Sequence, residues 1–170
     1  MKRNELFGYL LGFFLFVIAL PLGMWLLAGR PAFAGLGLGF FAVMGAAGLA
    51  LSVWAIVYMR RVGRGNPMDA FDHSLAPRTS VLMTEGPYKL CRNPMLLGIF
   101  IYYFGLLIFL RSGIADLVFV AFFLVMMIQV DSEEKRLERD FGQAYLAYKA
   151  ETKKLIPDRK STRLNSSHVT

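Results

Sequence analysis

The chain has 170 residues, 56% hydrophobic, 14% aromatic and only 18% charged, where soluble domains average about 45–50% hydrophobic and about 25% charged. That much apolar surface cannot be hidden inside one soluble domain of this size, so the excess must face lipid, and disordered, collagen-like and disulfide-stapled classes are excluded. A net charge of +7 raises the question of nucleic acid, while a single cysteine, Cys91, permits neither an internal disulfide nor a Cys/His metal site.

In chain order, the first uncharged run is Leu6–Ala28, 23 residues against the roughly 20 needed to cross a hydrocarbon core. Lys2-Arg3 before it and Ala32-Phe33-Ala34 after it resemble the ends of a signal peptide. The run is longer than an h-region of roughly 7–15 residues, and Arg30-Pro31 interrupts before the cleavage-like site, so an uncleaved span over about 6–28 is expected. Pro21 predicts a kink in it, which neighbouring helices can absorb. The second run, Ala32–Met59, has 28 residues and predicts a span over about 32–59. Gly35, Gly37 and Gly39 lack the preceding strand of a dinucleotide-binding unit; the four-residue spacing of Gly35 and Gly39 instead predicts close helix packing in a membrane.

A polar connection from Arg60 to Pro94 follows, too long for a turn and too punctuated by Gly and Pro for a free linker. Gly86-Pro87 predicts a turn, and Pro94 suits the first turn of a helix, which places Tyr88, Arg92 and Asn93 at the membrane boundary. Met95–Leu110 is uncharged for 16 residues and predicts a third span over about 94–110. Leu117–Val130 gives only 14, or 19 when extended back to Ser112 with Asp116 near one end, and predicts a fourth over about 112–130. A cytoplasmic helix is expected over about 131–150, where Leu137, Phe141, Tyr145 and Tyr148 recur at steps of four, four and three and make one face. Residues 1–159 read as a single domain. The polar, nonperiodic run Lys160–Thr170 reads as a disordered tail, a candidate cloning or assembly remnant.

The basic residues fix the number of spans. Four spans put 2 Lys/Arg in the N-terminal tail, 6 in segment 60–94 and 9 beyond residue 131 on one side; the two turns on the other side hold Arg30 and Arg111. That asymmetry predicts both termini in the cytoplasm, and three spans would leave the most basic segment outside. Without recognisable targeting signals, the expected location is a bacterial inner membrane. No ionisable residue falls mid-span, which removes the usual coupling group of a small multidrug-type transporter. Because the basic residues are split among three connections with no reading module, nucleic acid is not an expected partner.

Chemistry must therefore gather at the cytoplasmic face. Lys89 and Arg92 also serve as positive-inside anchors, and Tyr88 as an interfacial aromatic. Glu133 and Glu134 leave the fourth span beside an anionic leaflet, where acidic groups pair with neighbours such as Lys135 and Arg136 or bind something.

The order Gly86-Pro87-Tyr88, Arg92-Asn93-Pro94-Met95, Gly98, a helical hairpin, Glu133-Glu134, Phe141-Gly142, Tyr145, Tyr148 and Ile156-Pro157 is distinctive. It resembles the integral-membrane methyltransferases of the isoprenylcysteine carboxyl methyltransferase and phospholipid N-methyltransferase group, especially their small bacterial members. The likeness covers about residues 60–157; the first two spans match only as hydrophobic helices. It implies methyl transfer from S-adenosylmethionine to a lipophilic or small acceptor (a carboxylate, amine or thiol), with an all-α membrane fold of about four spans and an amphipathic C-terminal helix completing the cofactor site. By position Tyr88, Arg92, Asn93, Pro94, Leu97 and Gly98 correspond to the first cofactor motif, and Glu133 and Glu134 to the acidic pair. Arg92 would clamp the cofactor carboxylate, a glutamate would accept from ribose hydroxyls or the amino group, and Tyr88, Tyr145 or Tyr148 would face the adenine or the sulfonium. Arg92 and Glu134 are the candidate catalytic residues, with Glu134 or His73 as base where an ammonium acceptor must lose a proton. Asn93 stands where relatives often have His, and Leu96 where an aromatic is common, so the acceptor does not carry over. The oligomeric state stays open, and a non-catalytic membrane protein for assembly or sensing is the competing reading.

Overall fold

In the computed structural model of the protein, which describes residues 11–32, 35–63 and 81–155 together with the backbone of 69–70 and 73–74, each apolar run closes into a helix. A segment facing lipid must satisfy its own amides, and a helix does so internally. The start of the first expected span, the side chain of His73, the Ile156-Pro157 pair and the expected tail 160–170 lie outside the described residues.

Helix α1 spans Leu11–Leu27, α2 Gly35–Gly63, α3 Pro94–Leu110, α4 Gly113–Phe141 and α5 Gln143–Glu151. Between α2 and α3 lie a two-residue antiparallel ladder, β1 (Asp69–Ala70) with β2 (His73–Ser74), and a 3-10 turn at Gly86–Lys89. Sequence patterning gives no hint of the ladder, which is too short to show a period of two.

Helices α2 and α4 are each 29 residues and apolar enough to cross a membrane, yet only 22% and 11% of their apolar windows are buried within the protein. A core helix of a soluble domain would be buried all round. Leu117, Val120, Leu124, Val125 and Ile128 of α4 all face outward instead. The other two apolar helices, α1 and α3, reach 17 residues each, the short end of the spanning range of roughly 17–25.

One expectation is corrected at the C-terminal end. The fourth span and the cytoplasmic helix are one continuous element to Phe141, since nothing between 130 and 141 breaks a helix. At about 1.5 Å per residue its 29 residues run to about 43 Å, beyond a hydrocarbon core of about 30 Å. The break comes at Gly142, whose φ of 53° and ψ of −126° suit glycine alone, and α5 starts from there.

Pro21 leaves its mark on the hydrogen bonding of α1. It removes the N–H that the carbonyls of Phe16 and Val17 would meet in a π- or α-type ladder, and the preceding stretch Phe14–Ala19 is π-helical. Two tyrosines of α3 replace that donor: Tyr103 Oη donates to the Phe16 carbonyl at 2.6 Å and Tyr102 Oη to the Val17 carbonyl at 3.1 Å. Both rings belong to the apolar core with Met24, Leu106, Phe109, Leu110, Ala115 and Phe122.

Helix α2 packs on α3 more extensively than any other pair. The glycines responsible are not Gly35 and Gly39, whose surroundings are open. The crossing is at Gly48 and Gly98: a Cβ on Gly98 would stand 2.3 Å from the Gly48 carbonyl, and one on Gly48 2.3 Å from the Gly98 carbonyl. Ser52 closes the contact by donating to the Met95 carbonyl at 2.9 Å. This contact sets the ends of α2 and α3 against the polar connection.

Candidate functional site

At the end of the bundle where α2 stops and α3 begins, a second cluster joins Met59, Tyr88, Tyr145 and Tyr148, with Tyr58, Leu82, Met83, Leu137 and Phe141 packed around it. Gly86 lets the connection approach. Its φ is +63°, and a Cβ there would meet the Tyr58 ring at 2.6 Å, so only glycine can start the 3-10 turn against that ring. The turn buries Pro87 and Tyr88. From α4, Glu133, Leu137 and Phe141 follow at steps of four on one face; across the Gly142 break, Tyr145 and Tyr148 of α5 close the cluster.

These groups surround a cavity of about 40 Å³ lined by Tyr88, Arg92, Asn93, Glu133, Tyr145 and Tyr148 among others. Six of the ten residues assigned to the cofactor thus meet in one place. The other four do not line it. Pro94 is buried at the first turn of α3 and Leu97 stands beyond it, while Gly98 is occupied by the crossing with Gly48 and Ser52. Glu134 is the informative case. Neighbours on a helix point about 100° apart, and Glu133 and Glu134 turn to different sides. Glu133 faces the cavity, and Glu134 faces Arg92.

The Arg92–Glu134 pair is buried, with side chains 9% and 7% exposed. Arg92 donates to Glu134 Oε1 from Nε at 2.9 Å and from Nη2 at 2.8 Å, and from Nη1 to the Lys149 carbonyl at 3.1 Å and to that of Thr152. Four of its five N–H donors are therefore committed to protein, which leaves one on Nη2. The backbone continues the seam: the Arg92 N–H donates to the Lys153 carbonyl at 2.9 Å, and Asn93 Nδ2 to that of Lys154 at 3.1 Å. The other Glu134 oxygen has Lys149 at 3.5 Å and Lys154 at 3.9 Å; these lysines also pair with Glu138 and Asp131. Arg92 and Glu134, expected to hold the ligand, also tie the end of α5 to the connection, and Arg92 lines the cavity as well.

Burial raises the phenols of the cluster above the ordinary tyrosine range. For Tyr88 burial is the largest cause and Glu133 the next; for Tyr148, burial then Cys91; for Tyr145, burial then Glu134. All three stay protonated at physiological pH and act as donors. Tyr148 Oη uses its proton on the Tyr88 carbonyl at 2.6 Å.

The cavity walls offer π faces, a carboxylate, a phenol donor, an amide and one guanidinium N–H, a mixture suited to a ligand carrying both a cation and oxygen acceptors. Sequence reasoning missed Met59, Leu82 and Met83, whose apolar side chains carry no pattern of their own. A model of the family described as phospholipid methyltransferase matches residues 36–144, well over half of the chain, from the start of α2 to the first turn of α5. No curated protein and no solved structure gives a significant match.

Proposed function

The chain belongs to the phospholipid methyltransferase family, a family of membrane methyltransferases, and from that premise we propose that it moves a methyl group from S-adenosylmethionine to a lipophilic or small acceptor at the cytoplasmic face of the membrane. The observation that carries this reading is the convergence of Tyr88, Arg92, Asn93, Glu133, Tyr145 and Tyr148, drawn from three separate segments, on one cavity. All four apolar helices span in this reading. The basic residues then put the cavity end inside, with the turns bearing Arg30 and Arg111 outside.

S-adenosylmethionine, when bound, supplies an electrophilic methyl group on a sulfonium. The residues fit such a molecule in kind. Rings of Tyr88, Tyr145 and Tyr148 present π faces to a cation, an attraction worth ~0.5–2 kcal/mol, and exclude water from the transfer. Glu133 offers the nearby negative charge. The uncommitted Nη2 proton of Arg92 donates to oxygens. Ligand pockets usually measure roughly 300–1,000 Å³, so binding requires the aromatic side chains and the Val81–Met83 segment to part. Glu133 lines the cavity with Arg136 at 3.7 Å from its Oε1, and is the carboxylate placed to take a proton from an ammonium acceptor; Glu134 instead faces Arg92 and two lysines. A carboxylate or thiolate acceptor needs no such base, and the transfer then rests on alignment.

The test is calorimetric titration of the detergent-purified protein with S-adenosylmethionine, with Glu133→Gln alongside. Saturable binding that the variant weakens is the expected result. Well-folded protein that binds neither the cofactor nor S-adenosylhomocysteine, in lipid as well as in detergent, would overturn the proposal.

A further inference from the structure

Tyr145 is 1% exposed, and among the described residues its hydroxyl is the buried side-chain polar atom without a hydrogen-bond partner. Folding selects against such an arrangement, because a buried hydroxyl loses its water and gains nothing in return. Three other buried tyrosines avoid it. Tyr102, Tyr103 and Tyr148 all donate to backbone carbonyls.

Nearby acceptors are claimed by others. Glu134 Oε1 takes two N–H groups of Arg92, Glu134 Oε2 faces Lys149 and Lys154, and Glu138 Oε1 accepts from Lys149 Nζ at 2.5 Å. The Tyr145 ring belongs to the cavity wall beside Arg92, Asn93 and Glu133. Burial and the Glu134 charge raise its phenol, so it stays protonated and has a proton to donate.

We propose that the Tyr145 hydroxyl is a ligand contact, donating a hydrogen bond to an oxygen of S-adenosylmethionine bound in the cavity. The identity of that ligand rests on the function proposed above. The contact itself rests on a buried donor, a wall position and neighbours already engaged. It divides the labour at this end of the molecule: Arg92 and Glu134 position α5, and Tyr145 and Glu133 meet the ligand.

Tyr145→Phe removes one oxygen and keeps the ring. Two quantities are read on wild type and variant, both as the full chain in detergent: the affinity for S-adenosylhomocysteine by calorimetry, and the melting temperature without ligand. The variant should bind about 5–10-fold more weakly, the loss of one neutral hydrogen bond, while melting at the same temperature or higher. Tyr148→Phe gives the contrast, because its hydroxyl is bonded within the protein and its loss should lower the melting temperature. Wild-type affinity in Tyr145→Phe, or a melting temperature that falls as far as that of Tyr148→Phe, overturns the contact and leaves the cofactor reading standing. A wild-type protein that binds no S-adenosylhomocysteine overturns both.

Discussion

Arg92 illustrates how a side chain singled out from sequence can carry a second task that spacing does not reveal. The residue order puts it beside Asn93 and Pro94, and Arg92 and Asn93 share the cavity wall. What spacing cannot show is that its fork turns toward Glu134 and the carbonyls of Lys149 and Thr152, because those partners lie some forty to sixty residues away in the chain. The consequence is a stability effect. Arg92→Ala leaves a 7% exposed carboxylate without its main partner. Breaking a buried pair typically costs about 3–5 kcal/mol, and Lys149 and Lys154, still facing the other Glu134 oxygen, hold this case near 3. Arg92→Ala should therefore lower the melting temperature of ligand-free protein, with Arg92→Lys in between because one ammonium cannot reach both Glu134 and the carbonyls. A melting temperature unchanged by Arg92→Ala would return the residue to a purely ligand-binding role.

Among the elements, the crossing of α2 and α3 matters most for the site, since it brings Met59 and the connection beside the start of α3. Uncharged runs and Pro94 made the helices legible, and α3 begins and ends where the sequence predicts. The contact between them was not legible. Glycine stripes look alike in one dimension, and Gly35 and Gly39 have the same spacing as a true packing motif while facing open space. Gly48 and Gly98 are distinguished only by the backbone opposite each. Gly98→Ala forces a methyl group to within 2.3 Å of the Gly48 carbonyl and of Ser52 Oγ. Overpacking of that kind costs typically 1–3 kcal/mol, and more where the obstacle is backbone. Gly39→Ala meets nothing within 4 Å. Melting curves of the two variants should separate clearly, with Gly98→Ala lowered and Gly39→Ala close to wild type. Equal behaviour would mean that the helices do not cross at Gly48.

Taken as a whole molecule, the protein has an apolar core of Tyr102, Tyr103, Phe109 and Phe122 toward one end and the tyrosine cluster of the cavity at the other. Four spans would put the first nearer the α3–α4 turn and the second on the side holding α5. A chain with a single cysteine allows a direct test of that arrangement. Cys91 is fully buried, and burial pushes its thiol up to about 11, with the Asn93 N–H and the Arg92 charge pulling the other way. The reactive species is the thiolate and the thiol is out of reach of solvent, so near neutral pH the wild-type protein should hardly react with a membrane-impermeant maleimide, before or after permeabilisation. Against that silent background, Ser112→Cys in the α3–α4 turn and Glu151→Cys at the end of α5 report on opposite ends. In intact cells Ser112→Cys should label and Glu151→Cys should not, while both label after permeabilisation. The reverse pattern would put the cavity outside, away from the cytoplasmic pool of cofactor, and labelling of both in intact cells would mean that α4 does not cross the membrane between them. Ser112 caps the start of α4 and Glu151 ends α5 beyond the Gly142 break, so the two sites would be separated if α4, about 43 Å long, crosses a core of about 30 Å.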